Sequence, residues 1–352
     1  MAWRVYCAFS LRRILAAHKR RMLLIAQTNL GFSTLRHTAS PHGVRSCRVL
    51  SMSTTPPLAD VGIIGAGPAG LTLCHALRAE GYSVRIFERR DSLSPVGAAV
   101  FMHPFACNSL RAILPQLEQQ LLDVSTPIHT LAFSTLSADA PSFKLDSLDD
   151  APRVLGAPFL AVRFWDMLRA LRLGLPEECF SFGHQLERFV HHEGNEGGVT
   201  LHFAGDTPSC TVRYLIDAGG IRSATRKQLL VGDAAIPRLR ATFSLLPPGR
   251  VECSRESAGG GTPGVLAFVA GENLSVVTMG LDDGGVMWSQ TDFGDDPSAR
   301  IAESEDDLRR QLDSKYGDEW PDNVRALVRA TELGDVIEST VAEVRRAPQS
   351  HA

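Results

Sequence analysis

Several features are absent from this 352-residue sequence, and each absence excludes a class of protein. The apolar stretch at residues 22–26 is far too short to cross a bilayer, which takes about 20 residues, so we expect no membrane span. The seven cysteines form no CxxC pair and have no histidine at ligand spacing, which argues against a disulfide scaffold and against a metal site. Phosphate-loop, GxSxG, HExxH and EF-hand motifs are also missing.

Acidic residues are absent from the first 59 positions, which carry nine Lys or Arg and a net charge of +9. The rest of the chain holds 27 basic and all 39 acidic residues, a net charge of −12. This acidic body predicts no nucleic-acid partner. The basic leader is typical of an organelle transit peptide, but Met52 offers an alternative start. We therefore expect a cytoplasmic protein, or a mitochondrial one if the leader is used.

A strand, a glycine-rich turn, a helix and a second strand follow the leader in close succession. Residues 61–64 are an apolar run, residues 65–70 read Gly-Ala-Gly-Pro-Ala-Gly, and residues 71–81 are apolar at helical spacing. Residues 83–87 predict the second strand, which ends at Glu88. This order is the complete βαβ fingerprint of a dinucleotide site rather than an isolated GxGxxG.

Each residue of the fingerprint has a physical role. Gly65 permits the tight turn, Gly67 lets the backbone approach a pyrophosphate, and Gly70 lets the helix pack closely on the sheet. The first helical turn, which contains Ala69, supplies amide groups and the positive end of the helix dipole. Glu88 lies 18 residues after Gly70, where a carboxylate accepts both ribose hydroxyls and repels a 2′-phosphate.

The residues alone do not separate an FAD site from an NAD site, because both ligands present an ADP group to this turn. Residues 61–90 and 97–111 together resemble the class A FAD-dependent monooxygenases, the salicylate-hydroxylase-like aromatic hydroxylases. The resemblance implies FAD as the cofactor, with Arg89, which follows Glu88, among the residues that bind it and with Gly97 and Ala99 bordering the flavin. Ala99 stands where the family has a second glycine.

Two later segments carry the same resemblance. Residues 161–171 resemble a family helix whose arginine lies against FAD, which implies that Arg163 contacts the pyrophosphate. Arg169 and Arg172, further along this helix, are predicted to be solvated. Residues 214–226 resemble a motif with an aspartate at the position of Gly219, whereas this chain has its acid two positions earlier, at Asp217. Whether Asp217 takes over that role stays open, since a glycine turn shifts the backbone.

The family's remaining motif, Gly-Asp followed by Ala-Ala-His-Pro and a long helix, is expected after the substrate domain. The sequence ends before it, and we expect one wall of the flavin ring pocket to be missing. A similar spelling around Asp233 comes too soon after the preceding motif and has Ile236 in place of histidine. We predict a loop there, and also at residues 259–264, a second GxGxxG that lacks a flanking strand and helix.

The predicted fold is α/β, a Rossmann-like FAD-binding domain interleaved with a β-sheet substrate domain that lacks the C-terminal flavin element. Residues 1–58 are the leader, 59–126 and 155–232 the FAD-binding domain, and 127–154 and 233–346 the incomplete substrate domain. Strands are predicted at 127–136, 265–269 and 274–279, and a hairpin at 199–216. The helices near 304–315 and 321–333 contain several charged residues each and are predicted to face solvent.

The resemblance implies an FAD-binding oxidoreductase that uses NAD(P)H as a transient co-substrate and O2 to hydroxylate an aromatic or polyketide-like small molecule. The alternative is a truncated or degenerate flavoprotein that binds FAD weakly without turnover. A plain NAD dehydrogenase would need a catalytic His or a Tyr-Lys pair, which the sequence does not display. The catalytic residues and the oligomeric state are not predicted.

Overall fold

The computed structural model describes residues 57–95, 97–136, 142–192, 197–229, 236–251, 261–293 and 302–343. The predicted leader up to residue 56, the loop at Asp233 and residues 259–260 of the second glycine motif lie outside the described residues. The helices are α1 (Pro68–Ala79), α2 (Pro104–Ile113), α3 (Pro115–Leu122), α4 (Ala151–Leu155), α5 (Phe164–Arg172), α6 (Ala224–Leu229), α7 (Glu305–Lys315) and α8 (Asp322–Ala330).

The strands fall into three sheets. They are β1 (Ala59–Ile64), β2 (Val84–Phe87), β3 (Ala99–Met102), β4 (Ser125–Pro127), β5 (Thr130–Thr135), β6 (Phe143–Leu145), β7 (Leu160–Arg163), β8 (Phe180–Ser181), β9 (Leu186–His191), β10 (Val199–Phe203), β11 (Cys210–Asp217), β12 (Ile236–Leu246), β13 (Val265–Ala270), β14 (Leu274–Gly280), β15 (Val286–Asp292) and β16 (Val336–Glu343).

The first sheet contains the predicted βαβ unit, in the strand order β8-β2-β1-β11-β10-β9. β1 pairs in parallel with β2 on one side and with β11 on the other, and β10 and β11 form the predicted antiparallel hairpin. Val61 and Ile63 of β1 are buried in one core with Leu71 of α1, as an apolar strand covered by a helix requires. The predicted strand, turn, helix and strand are therefore confirmed.

The second sheet has seven strands in the order β16-β12-β15-β14-β13-β5-β6. Its strands come from residues 130–145 and 236–343, and the only parallel pair in this described sheet joins β5 to β13. The predicted strands at 265–269 and 274–279 are confirmed as β13 and β14. A small sheet, β3-β7-β4, is formed by strands from residues 99–163 and shares buried apolar residues with both larger sheets.

The expectation that the two late helices face solvent is wrong for one side of each. Their apolar residues pack under the second sheet around Trp288, which is 1% exposed. The reason is spacing: the large apolar residues of α7 and α8 are grouped at helical spacing and form one narrow stripe on each helix. The buried members are Leu308, Leu312, Val324, Leu327 and Val328. The Trp288 indole donates a 2.9 Å hydrogen bond to Thr331, which fixes the ring beside the helices.

None of the helices in the described ranges combines the length and the apolar character that crossing a membrane requires.

Leu308→Ala is expected to lower the free energy of unfolding by about 2–5 kcal/mol, because it leaves a cavity between α7 and the second sheet. Arg310→Ala, on the exposed side of the same helix, is expected to change it by less than about 0.5 kcal/mol. Chemical denaturation of both variants measures the difference. Equal effects would show that α7 does not support the sheet.

Candidate functional site

The turn after β1 is held in a shape that needs glycine at two positions. Gly65 has a φ of +101°, and a Cβ there would lie 2.7 Å from the carbonyl oxygen of Ala218. A Cβ on Gly70, in the first turn of α1, would overlap the carbonyl oxygen of Gly65. The helix therefore begins directly against the end of β1, as the predicted roles of these glycines require.

Gly67 differs from these two glycines, because the fold itself does not demand it. Its φ of −77° and ψ of 179° are extended, and no described atom beyond its chain neighbours lies within 4 Å of a Cβ built on it. It is the N-cap of α1 and has no side chain to cap the helix, so the first-turn amides, including that of Ala69, face outward. This open glycine fits a ligand that approaches the backbone.

Glu88 follows β2 and lies beside the glycine turn. Its Oε2 accepts a 2.9 Å hydrogen bond from the amide of Ala66, and its Oε1 accepts a 3.1 Å bond from the amide of Arg90. Each carboxylate oxygen has a further lone pair, which is free to accept a ribose hydroxyl. Arg89, which lies between Glu88 and Arg90 in the chain, is exposed.

Asp217 reaches the same edge of the sheet from β11, since it is paired with Ile64 at the end of β1. Its Oδ1 accepts a 3.0 Å bond from the amide of Gly219, and its Oδ2 accepts a 2.5 Å bond from the hydroxyl of Ser223. A Cβ on Gly219 would lie 2.9 Å from Asp217 Oδ1. The position of the Asp217 carboxylate thus requires a glycine at 219, because a side chain at 219 would displace the carboxylate.

The other predicted residues form a second group on the small sheet. Ala99 of β3 is paired with Arg163 of β7, and a Cβ on Gly97 would lie 3.0 Å from the side chain of Phe164. The guanidinium of Arg163 makes an ion pair with Asp283, from the turn between β14 and β15. The two groups share one apolar core, in which Met102 and Val162 pack with Ile63.

Asp283 is a residue that the sequence did not point to, because it lies 120 positions from its partner. Arg172 is only partly solvated, with its side chain 33% exposed, because its guanidinium lies 5.0 Å from the centre of the Phe180 ring and pairs with Glu177 at 2.6 Å. The phenyl ring comes from a later strand, so no local pattern announces that contact. Arg169 is largely exposed and lies 3.6 Å from Asp166.

The titratable side chains on the buried side of α1 belong to the core rather than to the site. Burial lowers the pKa of His75, whose Nε2 lies 2.9 Å from the carbonyl oxygen of Leu171. Burial also raises the pKa of Cys74 to about 12, and the nearby thiol of Cys179 adds to the shift. Both groups are uncharged at neutral pH. Within the described ranges, no cluster of three His, Cys, Asp or Glu side chains could hold a metal ion.

Comparison with known proteins distinguishes FAD from NAD as the dinucleotide of the family. The sequence model of the FAD binding domain family matches residues 58–238, just over half of the chain. The chain belongs to the FAD binding domain family. The match includes both groups of predicted residues, and the FAD expected from the sequence resemblance is confirmed as the family's cofactor.

Several curated relatives are similar over the same region. The chain is 30% identical over 172 residues to 3-amino-4-hydroxybenzoate 2-monooxygenase from Streptomyces cremeus. The aligned region covers 48% of this chain and 42% of that protein. It is 30% identical over 180 residues to 6-hydroxynicotinate 3-monooxygenase from Pseudomonas fluorescens, which covers 51% of this chain and 44% of that protein. The matched region thus spans less than half the length of these relatives.

Solved structures share the fold. HpxO from Klebsiella pneumoniae, crystallised with FAD and uric acid, aligns with a TM-score of 0.65 at 20% identity, over 81% of this chain and 68% of that one. The 2,6-dihydroxypyridine-3-hydroxylase from Arthrobacter nicotinovorans aligns with a TM-score of 0.60 at 16% identity, over 82% of this chain and 73% of that one. The predicted α/β fold, with an FAD-binding and a sheet-rich part, is confirmed.

Gly67→Ala and Gly70→Ala separate ligand approach from packing. Gly67→Ala is expected to change the free energy of unfolding without ligand by less than about 1 kcal/mol, while lowering FAD affinity about tenfold or more. Gly70→Ala is expected to cost about 1–3 kcal/mol of stability, because its methyl group meets the Gly65 carbonyl. Calorimetric unfolding and FAD titration measure both effects. Unchanged FAD affinity in Gly67→Ala would contradict the placement of the pyrophosphate.

Glu88→Gln tests the ribose contact. The unmodified chain is expected to bind AMP more tightly than adenosine 2′,5′-bisphosphate, because the carboxylate repels the 2′-phosphate. Glutamine keeps an acceptor oxygen for the Ala66 amide but removes the charge. The difference in affinity between AMP and adenosine 2′,5′-bisphosphate is therefore expected to become smaller. Competition of each nucleotide with FAD gives the two affinities. A preference that Glu88→Gln leaves unchanged would place the ribose elsewhere.

Proposed function

We propose that this chain acts as an FAD-dependent monooxygenase that uses NAD(P)H and O2 to hydroxylate an aromatic or polyketide-like small molecule. The observation that carries the proposal is the edge formed by β1, β2 and β11, where an open glycine, outward-facing amides and a fixed carboxylate fit the ADP part of FAD. The relatives named as monooxygenases of ring compounds support the reaction class.

The chain's residues divide the cofactor between them in this proposal. Glu88 accepts the ribose hydroxyls, and the amides around Gly67 and Ala69 hold the pyrophosphate. Arg163 adds a cation for the same phosphates, since its planar guanidinium suits two oxygens at once. Gly97 and Ala99, on the small sheet, border the flavin ring. Asp217 orders the loop after β11 at the same edge.

Bound FAD would supply the hydride acceptance and oxygen chemistry that no amino-acid side chain provides. The protein's part is to bind, orient and keep the reacting groups dry. The layer between the small sheet and the second sheet suits that task, because its lining is apolar. Half-buried Phe101, Phe243, Leu245, Val277 and Ile337 pack there against a buried apolar cluster that includes Ala98 and Ala99. Phe101 also stacks on Phe159 at 5.7 Å, so this layer favours a flat aromatic ring.

The test is an FAD titration of the purified full chain, followed by NADH and NADPH oxidation with O2 consumption. We expect the visible bands of bound flavin, FAD-dependent oxidation of at least one nucleotide, and a gain of one oxygen atom in an aromatic acid from a test panel. Gly67→Ala is the matched control and is expected to weaken all three signals together at the same subsaturating FAD concentration. Bound FAD without nucleotide oxidation would favour the flavoprotein without turnover, and an absence of FAD binding would contradict the proposal.

A further inference from the structure

The turn between β14 and β15 reaches from the second sheet to the small sheet. The turn, residues 281–285, is closed by a 2.9 Å bond from the amide of Leu281 to the carbonyl of Gly285. Leu281 is buried in the same apolar cluster as Ala98 and Ala99. The amide of Asp282 donates a 2.8 Å bond to the hydroxyl of Thr126, which is itself buried. The turn is therefore docked at a defined place.

Asp283, at the tip of this turn, holds Arg163 with one oxygen and its own turn with the other. Its Oδ1 accepts a 2.9 Å bond from the amide of Gly285, and its Oδ2 pairs with Arg163 Nη2. A Cβ on Gly285 would lie 2.5 Å from that same Nη2, so the guanidinium lies directly against the backbone of the turn. The Arg163 guanidinium thus lies between the Asp283 carboxylate and the backbone of the turn.

The exposures of the two partners differ in a way that matters for an anionic ligand. The side chain of Asp283 is 52% exposed, whereas that of Arg163 is 24% exposed. Water therefore screens the negative charge of Asp283, while the guanidinium lies in a more enclosed place. Arginine has five N–H donors, and the bond to Asp283 is made by one nitrogen only. The remaining donors keep their capacity for a diphosphate.

We propose that Asp283 is a positioning residue for cofactor binding, which acts by fixing the Arg163 guanidinium toward the pyrophosphate. The inference depends on the proposed role of Arg163 in FAD binding. Without Asp283, the Arg163 side chain would lose rotational freedom about several bonds when FAD binds. A side chain that is already fixed avoids this entropy cost, so it binds the ligand more tightly. The second sheet would then contribute to FAD affinity through this turn as well as by covering the ring.

A double-mutant cycle tests the proposal on the full chain, with FAD affinity measured by titration. Arg163→Gln is expected to weaken FAD binding about tenfold, and Asp283→Ala about fivefold. In the presence of Arg163→Gln, Asp283→Ala is expected to have less than about a twofold further effect, because its action passes through the arginine. Asp282→Ala, the neighbouring exposed acid in the same turn, is the matched control and is expected to change affinity less than about twofold.

Thermal unfolding without FAD checks that each variant folds, and Asp283→Asn replaces Asp283→Ala if the alanine variant does not. Asparagine keeps an acceptor oxygen and is expected to give a smaller loss that also vanishes in the Arg163→Gln background. Effects that add fully in the double variant would overturn the positioning role, as would an Arg163→Gln variant that binds FAD normally. An unmodified chain that binds no FAD would instead refute the proposed function, and this inference with it.

Discussion

The overlap between a side chain at position 70 and the carbonyl oxygen of Gly65 is the constraint on which the site depends. Because Gly70 has no Cβ, α1 can begin directly against the end of β1. That close approach fixes the direction of the first-turn amides and leaves Gly67 open at the tip of the turn. β1 lies between β2 and β11, so the same edge also receives the carboxylates of Glu88 and Asp217.

The parts of this edge that the sequence predicted are the ones encoded locally. About thirty residues of sequence are enough to predict a turn that needs glycine, an apolar strand and a helix with an apolar side. Residues 59–88 fold as predicted. Asp217 was harder to interpret. Its pairing with Ile64 and its bonds to Gly219 and Ser223 explain why the acid occurs at 217 together with a glycine at 219, which no strand alternation could reveal.

The features that the sequence did not predict depend on contacts between distant segments. Asp283 and Arg163 are 120 positions apart, and the packing of the small sheet against the second sheet brings them together. Arg172 was expected in solvent, but a phenylalanine ring from β8 lies beneath it. The charged residues of α7 and α8 predicted helices that face solvent, but apolar residues on one side of each helix cover Trp288. In each case the deciding contact is made with a segment distant in the sequence, which local composition does not reveal.

The central claim is that FAD binds across the glycine turn and the carboxylate beside it. Amide hydrogen exchange of the full chain, with and without FAD, tests this claim most directly. The account predicts slower exchange on FAD binding in peptides that contain Ala69 and Gly70, and in those that follow Glu88, with little change at the outer strand β9. Protection that is absent from the turn, or confined to the second sheet, would contradict it.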